Sequence, residues 1–522
     1  MLQANDIEPV HDADDLQVFI TAAEAYPEME RAFLHAKREI WASYRVFALS
    51  TKLRSEEAKR IGETWFDLIV HVLKKGVELN FILSDFDPIL AGELHCASWK
   101  ARRAFIAAAE VAGPDAQLKI VNATHSARVG LLPRLLLWPR LIKEISATAD
   151  MLNAATAFDR RRALECRPGL RPWLRETEGG HLEARKWYPP PLVPGTHHQK
   201  MAIFDREVLC IGGLDLDERR YDDKGHHRRR DETWHDVQVM CRGPVVEDAQ
   251  RHVETFLDVV AARRAPEPPA ALLRTISRRR RLQAPFLGPR PVVSELAEAH
   301  HAAIRRTRHL IYLETQFFRD RKTADALAEA ARQRPGLGLI LVLPGAPEDV
   351  AFEGSAGADA RFGEHLQAQC IATVADAFGE RAAICSPVKP QYAEDTDDRD
   401  TLCGSPIIYV HAKVSIFDRK QAIVSSANLN GRSLAWDTES GIALTNTEHV
   451  ERLFIRVAKH WLPKDAGPLF LDPKEAAGHW RVLAAANAER APDAREGFLV
   501  PYRLRPAQDF GRRFPGVPEQ MV

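Results

Sequence analysis

A chain of 522 residues is too long for one ordinary hydrophobic core, so two domains or one large duplicated unit is expected. Hydrophobic residues make up 45% of the chain and charged residues 28%, which is typical of a soluble globular protein. The 72 lysines and arginines balance the 72 aspartates and glutamates. The chain therefore lacks the basic excess that proteins binding nucleic acid non-specifically use to neutralise phosphates, and a nucleic-acid partner is disfavoured.

The seven cysteines are scattered, odd in number and without a C-x-x-C pair, which predicts reduced thiols and neither a disulfide framework nor a zinc knuckle. The N-terminus is polar and acidic, and no uninterrupted apolar run reaches the length of a membrane span. We expect no standard secretory signal. The sequence predicts a cytoplasmic protein that touches membranes peripherally, and it leaves export without a standard signal open.

Helices and strands alternate in the first part of the chain. A helix that begins near Glu28 is followed by an apolar strand that ends near Leu49. A second helix over residues 56–75 leads through Gly76 into a second strand. This order predicts an α/β fold with a largely parallel sheet.

The same order recurs in the second part of the chain. A helix over Ser294 to Thr307 precedes an apolar strand over residues 309–318. Another helix and a break at Pro335 lead into the strand over residues 337–345. Two runs of helix, strand, helix and strand in one order indicate an internal duplication.

The first half contains an insertion over about residues 88–190 that has no counterpart of that size in the second half. Within it, Val129–Ile145 mixes leucines and arginines with a tryptophan and two prolines. This segment is either an interfacial membrane-contacting element or a lid or core helix, and we favour the second. The predicted organisation is an N-terminal segment, a first half, a linker, a second half and a C-terminal extension, over residues 1–27, 28–264, 265–292, 293–465 and 466–522.

Two copies of an H-x-K-x4-D motif provide the strongest functional signal. The first copy consists of His198, Lys200 and Asp205, followed by Gly213 and Asp215. The second copy consists of His411, Lys413 and Asp418, followed by Ser426 and Asn428. In both copies the last of these residues lies 17 positions after the histidine. One copy would be weak in a chain with 20 histidines, but two copies in matching repeats are hard to obtain by chance.

The spacing suggests a chemistry. Residues i and i+2 of a strand face the same side, so each histidine projects beside its lysine. Two such strands related by a pseudo-two-fold axis would surround one cavity with two imidazoles and two ammonium groups. The lysines, Asn428 and backbone amides near Gly213 and Ser426 would neutralise the oxygens of a phosphodiester. One histidine would attack phosphorus, and the other would protonate the leaving alcohol and then activate water or another alcohol. Neither step requires a metal, and no metal or cofactor is expected.

These motifs resemble those of the phospholipase D superfamily. Trp234–Asp236 resembles the segment that follows the first motif in that family, Ile311–Phe318 the strand that opens the second half, and SSANLNGRSLAWDTE the sequence after the second motif. The resemblance extends from about Glu28 to Leu462. It implies a duplicated α/β/α sandwich with mixed, largely parallel sheets and an active site at the pseudo-two-fold between the halves. It also implies a covalent phosphohistidine and metal-independent transfer of a phosphatidyl group.

By the same resemblance, His198 is the nucleophile and His411 the general acid and base. Asp236 and Glu439, the latter 28 residues after His411, are candidates for orienting the histidines. The remaining candidates for binding the phosphate or supporting the site are Gly213, Asp215, Ser426 and Asn428.

Other polar residues receive weaker assignments. Asp205 and Asp418 complete the catalytic motifs, and we interpret them as partly structural. Glu314 and Gln316 lie at i and i+2 on a presumed central strand, so they either line the cavity or pair with neighbouring residues. Four further histidines are interpreted as packing, solvated or structural: His197, His226, His227 and His235.

The leading hypothesis is hydrolysis or transphosphatidylation of glycerophospholipids. The Gly-Gly-Leu-Asp sequence after the first motif favours it, because the small nucleases of the family carry glycine-serine-x-asparagine there. The alternatives are a phosphatidyltransferase such as a cardiolipin synthase, a nuclease of the superfamily and, least favoured, a non-catalytic scaffold. A phospholipid and a membrane surface are the expected partners. A monomer is expected because both motifs lie in one chain.

Overall fold

The structure, a computed structural model, describes residues 14–394 and 399–522. The first half forms a seven-stranded sheet and a separate two-stranded hairpin. Its strands are β1 Asp14–Ile20, β2 Glu39–Tyr44, β3 Glu78–Asp85, β4 Leu118–Thr124, β5 Leu174–Glu176, β6 Leu182–Ala184, β7 Met201–Phe204, β8 Val208–Gly212 and β9 Val237–Arg242. Its helices are α1 Ala22–His35, α2 Glu56–Lys59, α3 Trp65–Lys74, α4 Gly92–Ala112, α5 Leu131–Ala154, α6 Ala157–Glu165 and α7 Pro244–Val260.

The second half forms a nine-stranded sheet and another small hairpin. Its strands are β10 Leu272–Arg278, β11 Arg290–Ser294, β12 Leu310–Thr315, β13 Gly338–Val342, β14 Ala382–Pro387, β15 Thr401–Leu402, β16 Ser405–Pro406, β17 Lys413–Phe417, β18 Gln421–Ser425, β19 Glu439–Leu444 and β20 Leu499–Pro501. Its helices are α8 Glu295–Arg306, α9 Arg321–Gln333, α10 Glu348–Ala351, α11 Ala358–Phe378, α12 Gly431–Ala435, α13 Thr447–Trp461, α14 Ala476–Glu489 and α15 Leu504–Phe510.

The two large sheets repeat one strand order. The first runs β1-β9-β8-β7-β2-β3-β4, and the second contains the equivalent order β10-β19-β18-β17-β12-β13-β14, with β11 and β20 added at its edges. In each sheet three neighbouring strands are parallel, namely β2, β3 and β4 or β12, β13 and β14. The hairpin that follows each histidine is antiparallel. The predicted duplicated α/β sandwich with mixed sheets is confirmed.

Three apolar cores explain the layering. Helices α1, α3 and α4 cover the outer face of the first sheet, where Phe33, Trp65 and Phe105 are buried. Helices α8, α9 and α11 cover the outer face of the second sheet. Helices α7 and α13 share one core with strands of both sheets, and α13 contacts both β1 and β18. The amphipathic helices thus bury one face each, and the central core joins the halves.

The sheet borders differ from the organisation expected from sequence. Strand β1 and the start of α1 lie within residues 1–27, and β10 and the start of β11 lie within the expected linker 265–292. Residues 466–522 contribute β20 and α14 to the second half. Proline and arginine clusters flank β10 and β11, so the local composition resembles a linker although both strands pair in the sheet.

The extra material of the first half is shorter than the insertion expected from sequence. Helix α4 and strand β4 match α11 and β14 of the other half, so the extra part begins after Thr124. Strand β4 alternates exposed and half-buried residues at the sheet edge, which hid it in the sequence. Helix α5 buries Leu141 and Ile145 in its second part, whereas its first part exposes apolar residues, and Leu136 is 84% exposed.

Candidate active site

Both motif histidines lie at equivalent places in the two sheets. His198 precedes β7, and β7 runs antiparallel to β2, with Met201 opposite Ser43. His411 precedes β17, and Lys413 pairs with Thr315 at the end of β12. Each histidine therefore lies beside the carboxyl end of the parallel strands, which is where ligands bind in open α/β sheets.

Two short backbone bridges hold the halves together at this place. His197 pairs with Thr438, and His235 pairs with Val410. The amide of His198 donates to the carbonyl of Thr438 at 2.8 Å, and the amide of His411 donates to the carbonyl of His235 at 2.7 Å. The backbone of each motif is thus fixed by the opposite half, in a reciprocal arrangement.

Each motif histidine pairs with a carboxylate of the other half. His198 Nδ1 lies 3.0 Å from Glu439 Oε1, and His411 Nδ1 lies 2.6 Å from Asp236 Oδ2. Both carboxylates are buried, as is His411, whereas the His198 side chain is 13% exposed. Such a pair fixes one tautomer and leaves the Nε2 atom for chemistry.

Both motif lysines are buried beside their histidines. Lys200 Nζ donates to the carbonyl of His198 at 2.7 Å and lies 3.6 Å from Asp215 Oδ2. Lys413 Nζ donates to the carbonyl of His411. Burial lowers the pKa of Lys413 to about 7, although Asp236 opposes this shift. Burial also lowers the pKa of Lys200, and Asp215 opposes that shift.

Burial and the neighbouring lysines shift the pKa values of the two histidines and of Glu439. Burial and the neighbouring Lys200 hold the pKa of His198 well below its ordinary value. Burial and Lys413 do the same to the pKa of His411. Burial raises the pKa of Glu439 to about 8, and Lys200 partly offsets this rise. A phosphodiester bound between the imidazoles would raise their pKa values, because it adds negative charge.

The residues that follow each motif support the two carboxylates differently. A Cβ atom at Gly213 would lie 2.2 Å from Asp236 Oδ1, so only glycine permits this approach. At the equivalent position, Ser426 Oγ donates to Glu439 Oε2 at 2.5 Å. Asn428 Nδ2 donates to the side-chain oxygen of Gln316 at 3.1 Å.

A cavity of about 400 Å³ opens onto both histidines. Arg45, Arg220 and Arg432 contribute to its lining, and none of them was singled out from sequence. Arg45 directly follows β2, so its place at the carboxyl end of a central strand was a usable signal. Arg220 is buried, and its guanidinium lies 4.6 Å from the centre of the Trp234 ring. The lining combines these three guanidinium groups with four carboxylates, those of Glu348, Asp349, Glu353 and Asp437. The guanidinium groups are suited to binding a phosphate.

Three predicted site residues lie elsewhere. Asp205 accepts hydrogen bonds from the amides of residues 37–39, and Asp418 accepts them from those of residues 308–310. Both are turn residues with positive φ at the far ends of β7 and β17, which corrects their assignment as catalytic and supports the structural interpretation. Glu314 is also corrected: its carboxylate accepts from Trp461 Nε1 at 3.0 Å in the core between the sheets. Gln316, just beyond the end of β12, does line the cavity.

The remaining histidines divide between core and surface. His197 is buried, and its Nδ1 lies 2.9 Å from Thr438 Oγ1, in keeping with a packing role. His235 is buried and His227 is exposed. The prediction that His226 is solvated is wrong, because the residue is fully buried with its Nδ1 2.7 Å from Asp222 Oδ2. Its polar sequence neighbours concealed this burial.

Comparisons with known proteins agree with the motifs. A family model described as "Cardiolipin synthase, PLD-like domain" matches residues 301–461. Phospholipase D1 of Cricetulus griseus is 25% identical over 42% of this chain and 25% of its own length. Phospholipase D1 of Saccharomyces cerevisiae is 24% identical over 48% of this chain and 20% of its own length. This chain therefore spans a quarter or less of the length of these curated relatives.

Among solved structures, phosphatidylserine synthase of Haemophilus influenzae Rd KW20 has a TM-score of 0.45 and 11% identity, with 85% of each chain covered. Together, the family match, the curated relatives and the two complete motifs support the resemblance of this chain to the phospholipase D superfamily.

Proposed function

We propose that the chain is a phospholipase D-type phosphodiesterase that transfers the phosphatidyl group of a glycerophospholipid to water or an alcohol. The observation that carries this proposal is the pair of histidines, each bound by a carboxylate of the opposite half, facing one cavity whose lining includes three arginines. This arrangement provides a nucleophile, a proton donor and phosphate-binding groups.

In the first step, Nε2 of His198 attacks phosphorus and the bond to the headgroup oxygen breaks. Glu439 holds the proton on Nδ1 of His198, which leaves the lone pair on Nε2. His411 gives its Nε2 proton to the leaving oxygen, and Asp236 stabilises the imidazolium before that transfer. Lys200, Lys413 and the arginines of the cavity balance the charge on the non-bridging oxygens.

In the second step, the neutral His411 takes a proton from water or an alcohol, whose oxygen attacks the phosphohistidine. The bond from phosphorus to Nε2 of His198 breaks, and the product leaves as phosphatidate or a phosphatidyl ester. The same two histidines thus serve both steps in exchanged roles, as microscopic reversibility requires.

The exposed apolar start of α5 supports contact with a membrane. Leu132 and Leu136 are exposed there, and Trp187 of the same inserted region is 73% exposed. Apolar and aromatic side chains of this kind can enter the headgroup region of a bilayer. No helix within residues 14–394 and 399–522 is long and apolar enough to cross one.

The test uses phosphatidylcholine vesicles with ethanol and no added divalent cation. We expect release of choline and formation of phosphatidylethanol, with neither product from His198→Asn. His309→Asn, which changes an exposed histidine at the start of β12, is the matched control and should retain activity. Wild-type protein that releases no headgroup from phosphatidylcholine, phosphatidylethanolamine or phosphatidylglycerol would contradict the proposal.

A phosphatidyltransferase is the second candidate, because the matching family model is described as "Cardiolipin synthase, PLD-like domain". The chemistry is the same, and only the acceptor differs. Vesicles of phosphatidylglycerol alone separate the two: cardiolipin with free glycerol indicates transfer, and phosphatidate with free glycerol indicates hydrolysis.

A further inference from the structure

Three histidines form a cluster outside the proposed active site. One ring nitrogen of each of His226, His235 and His460 lies within 4.8 Å of the others. His226 and His235 belong to the segment between β8 and β9, and His460 lies in the last turn of α13. No metal was expected from the sequence, because the two-histidine chemistry requires none. The third histidine of the cluster is 225 positions from the second in the chain. The fold brings them together across the two halves.

We propose that these three histidines bind a zinc ion. Three imidazoles around tetrahedral zinc, with each Zn–N bond about 2.1 Å, bring neighbouring nitrogen atoms to about 3.4 Å from one another. Nε2 of His226 lies 3.0 Å from Nε2 of His460, and a ring nitrogen of His235 lies within 4.8 Å of both rings' ligand atoms. Binding therefore needs this pair to move slightly apart and His235 to move closer. The ring centres are 4.6, 5.2 and 6.0 Å apart, which suits three rings that point at one ion.

Carboxylates lie beside two of the three rings. Asp222 Oδ2 lies 2.7 Å from Nδ1 of His226, which directs Nε2 of that ring towards His460. Glu314 Oε1 lies 2.5 Å from Nε2 of His235, but among the described residues neither ring nitrogen of His235 makes a hydrogen bond. A carboxylate on the second nitrogen of a metal-bound imidazole is the usual support for zinc ligands. Asp222 and Glu314 also balance the two positive charges of the ion.

Aromatic rings pack around the three histidines. Trp461 stacks on His226 at 6.1 Å, and Phe498 stacks on His460 at 5.8 Å. His460 is only partly buried, which leaves a path for the ion.

The ion would be structural, and it would hold the halves together next to the active site. His235 directly precedes Asp236, and its carbonyl accepts the hydrogen bond from the amide of His411. Zinc bound to His235 and His460 would therefore fix the backbone that carries the pair of His411 and Asp236. This site is independent of the proposed phospholipid chemistry, and its test does not depend on turnover.

The test is zinc binding by the full chain, produced without a histidine tag and stripped with chelator. With zinc chloride alone, we expect one equivalent retained after gel filtration and a rise of about 3 °C in Tm. Cobalt should give the visible absorption of a tetrahedral site. His460→Gln and His226→Gln should each weaken zinc binding at least about tenfold, since each removes a ligand. The control His227→Gln changes the exposed neighbouring histidine and should bind zinc as the wild type does.

Stripped wild-type protein that retains no more zinc than His460→Gln, with Tm unchanged, would overturn the proposal and leave a hydrogen-bonded histidine cluster. Equal loss of zinc in His227→Gln would also overturn it, because the ion would then lie at the surface with Asp223. Both measurements on the wild type hold even if a variant fails to fold.

Discussion

The two halves of the candidate active site share one backbone plan but carry different side chains at equivalent positions. The differing pairs are Gly213 and Ser426, Asp215 and Asn428, and Asp236 and Glu439. The first half thus places a carboxylate near its buried lysine, and the second half places an amide at the matching position. The side chains therefore occupy equivalent places in the duplicated halves, but their charges and sizes differ.

Because of this difference, Lys200 and Lys413 have different charged neighbours. Lys200 lies 3.6 Å from a carboxylate oxygen of Asp215, and Asp215 also lies 3.7 Å from a guanidinium nitrogen of Arg220. Lys413 has Asn428 at the equivalent sequence position, and burial brings its pKa to about 7. The two imidazole pairs differ too, because Glu439 accepts a hydroxyl hydrogen bond from Ser426 whereas Asp236 packs against Gly213. Such asymmetry suits two histidines with different tasks.

Replacing either histidine should have the largest effect and should separate their roles. We expect His198→Asn to lose on the order of 10⁴-fold or more in kcat, and His411→Asn about 10²- to 10⁴-fold, on a natural phospholipid. With phosphatidyl-p-nitrophenol, the leaving group needs no proton. His411→Asn should then release one equivalent of nitrophenol in a burst and accumulate phosphohistidine, measured by stopped-flow absorbance and mass spectrometry.

His198→Asn should give no burst with the same substrate. If the burst appears in His198→Asn and is absent from His411→Asn, the roles are exchanged. If neither variant gives a burst although the wild type turns over, the covalent mechanism is wrong.

Gly213→Ser should have the next largest effect, although serine occupies the equivalent position of the other half. A Cβ at position 213 would lie 2.2 Å from Asp236 Oδ1, so the carboxylate must move away from His411. A misplaced catalytic group costs roughly 10²-fold in kcat, and we also expect a lower Tm. Gly336→Ser is the control, because a Cβ there meets no atom within 4 Å. Full activity in Gly213→Ser would show that the close packing of Asp236 is not needed.

Sequence reasoning found the duplication and named most of the residues that the structure brings together, because their signals are local. The H-x-K spacing, the shared strand order and the positions of Asp236 and Glu439 can all be read along the chain. The exchange of carboxylates between halves cannot, since His198 and Glu439 are 241 residues apart and only the fold shows which histidine each one meets. Burial of His226 was missed for the same reason, because its cover comes from α13 and the far C-terminal part of the chain.

Replacing Asn428 by aspartate, or Asp215 by asparagine, should shift the pH profile of kcat/KM without abolishing activity. Lys413 must be charged to balance the phosphate, and its pKa of about 7 means that this charge is lost as the pH rises. Wild-type kcat/KM should therefore fall above about pH 7. Asn428→Asp should move this fall upward by about one pH unit, because a nearby negative charge favours the ammonium form.

In the reciprocal variant Asp215→Asn, kcat/KM should begin to fall at a lower pH. Lys200 then loses the carboxylate that opposes the lowering of its pKa. Profiles of kcat/KM report the free enzyme, so they are the profiles to compare. Unchanged profiles in both variants would mean that neither lysine controls the alkaline side.

The smallest expected effect concerns the hydroxyl that only the second half provides. Ser426→Ala removes the hydrogen bond from Ser426 Oγ to Glu439, worth about 1 kcal/mol, so kcat should fall roughly fivefold. Ser425→Ala is the matched control, since the neighbouring hydroxyl bonds to the backbone of Ala427 and not to Glu439. Because Glu439 pairs with His198, the loss should appear in the rate of the nitrophenol burst. A loss confined to the later steady state would contradict this, and it would place the contribution of the Ser426 hydroxyl in the step that His411 assists.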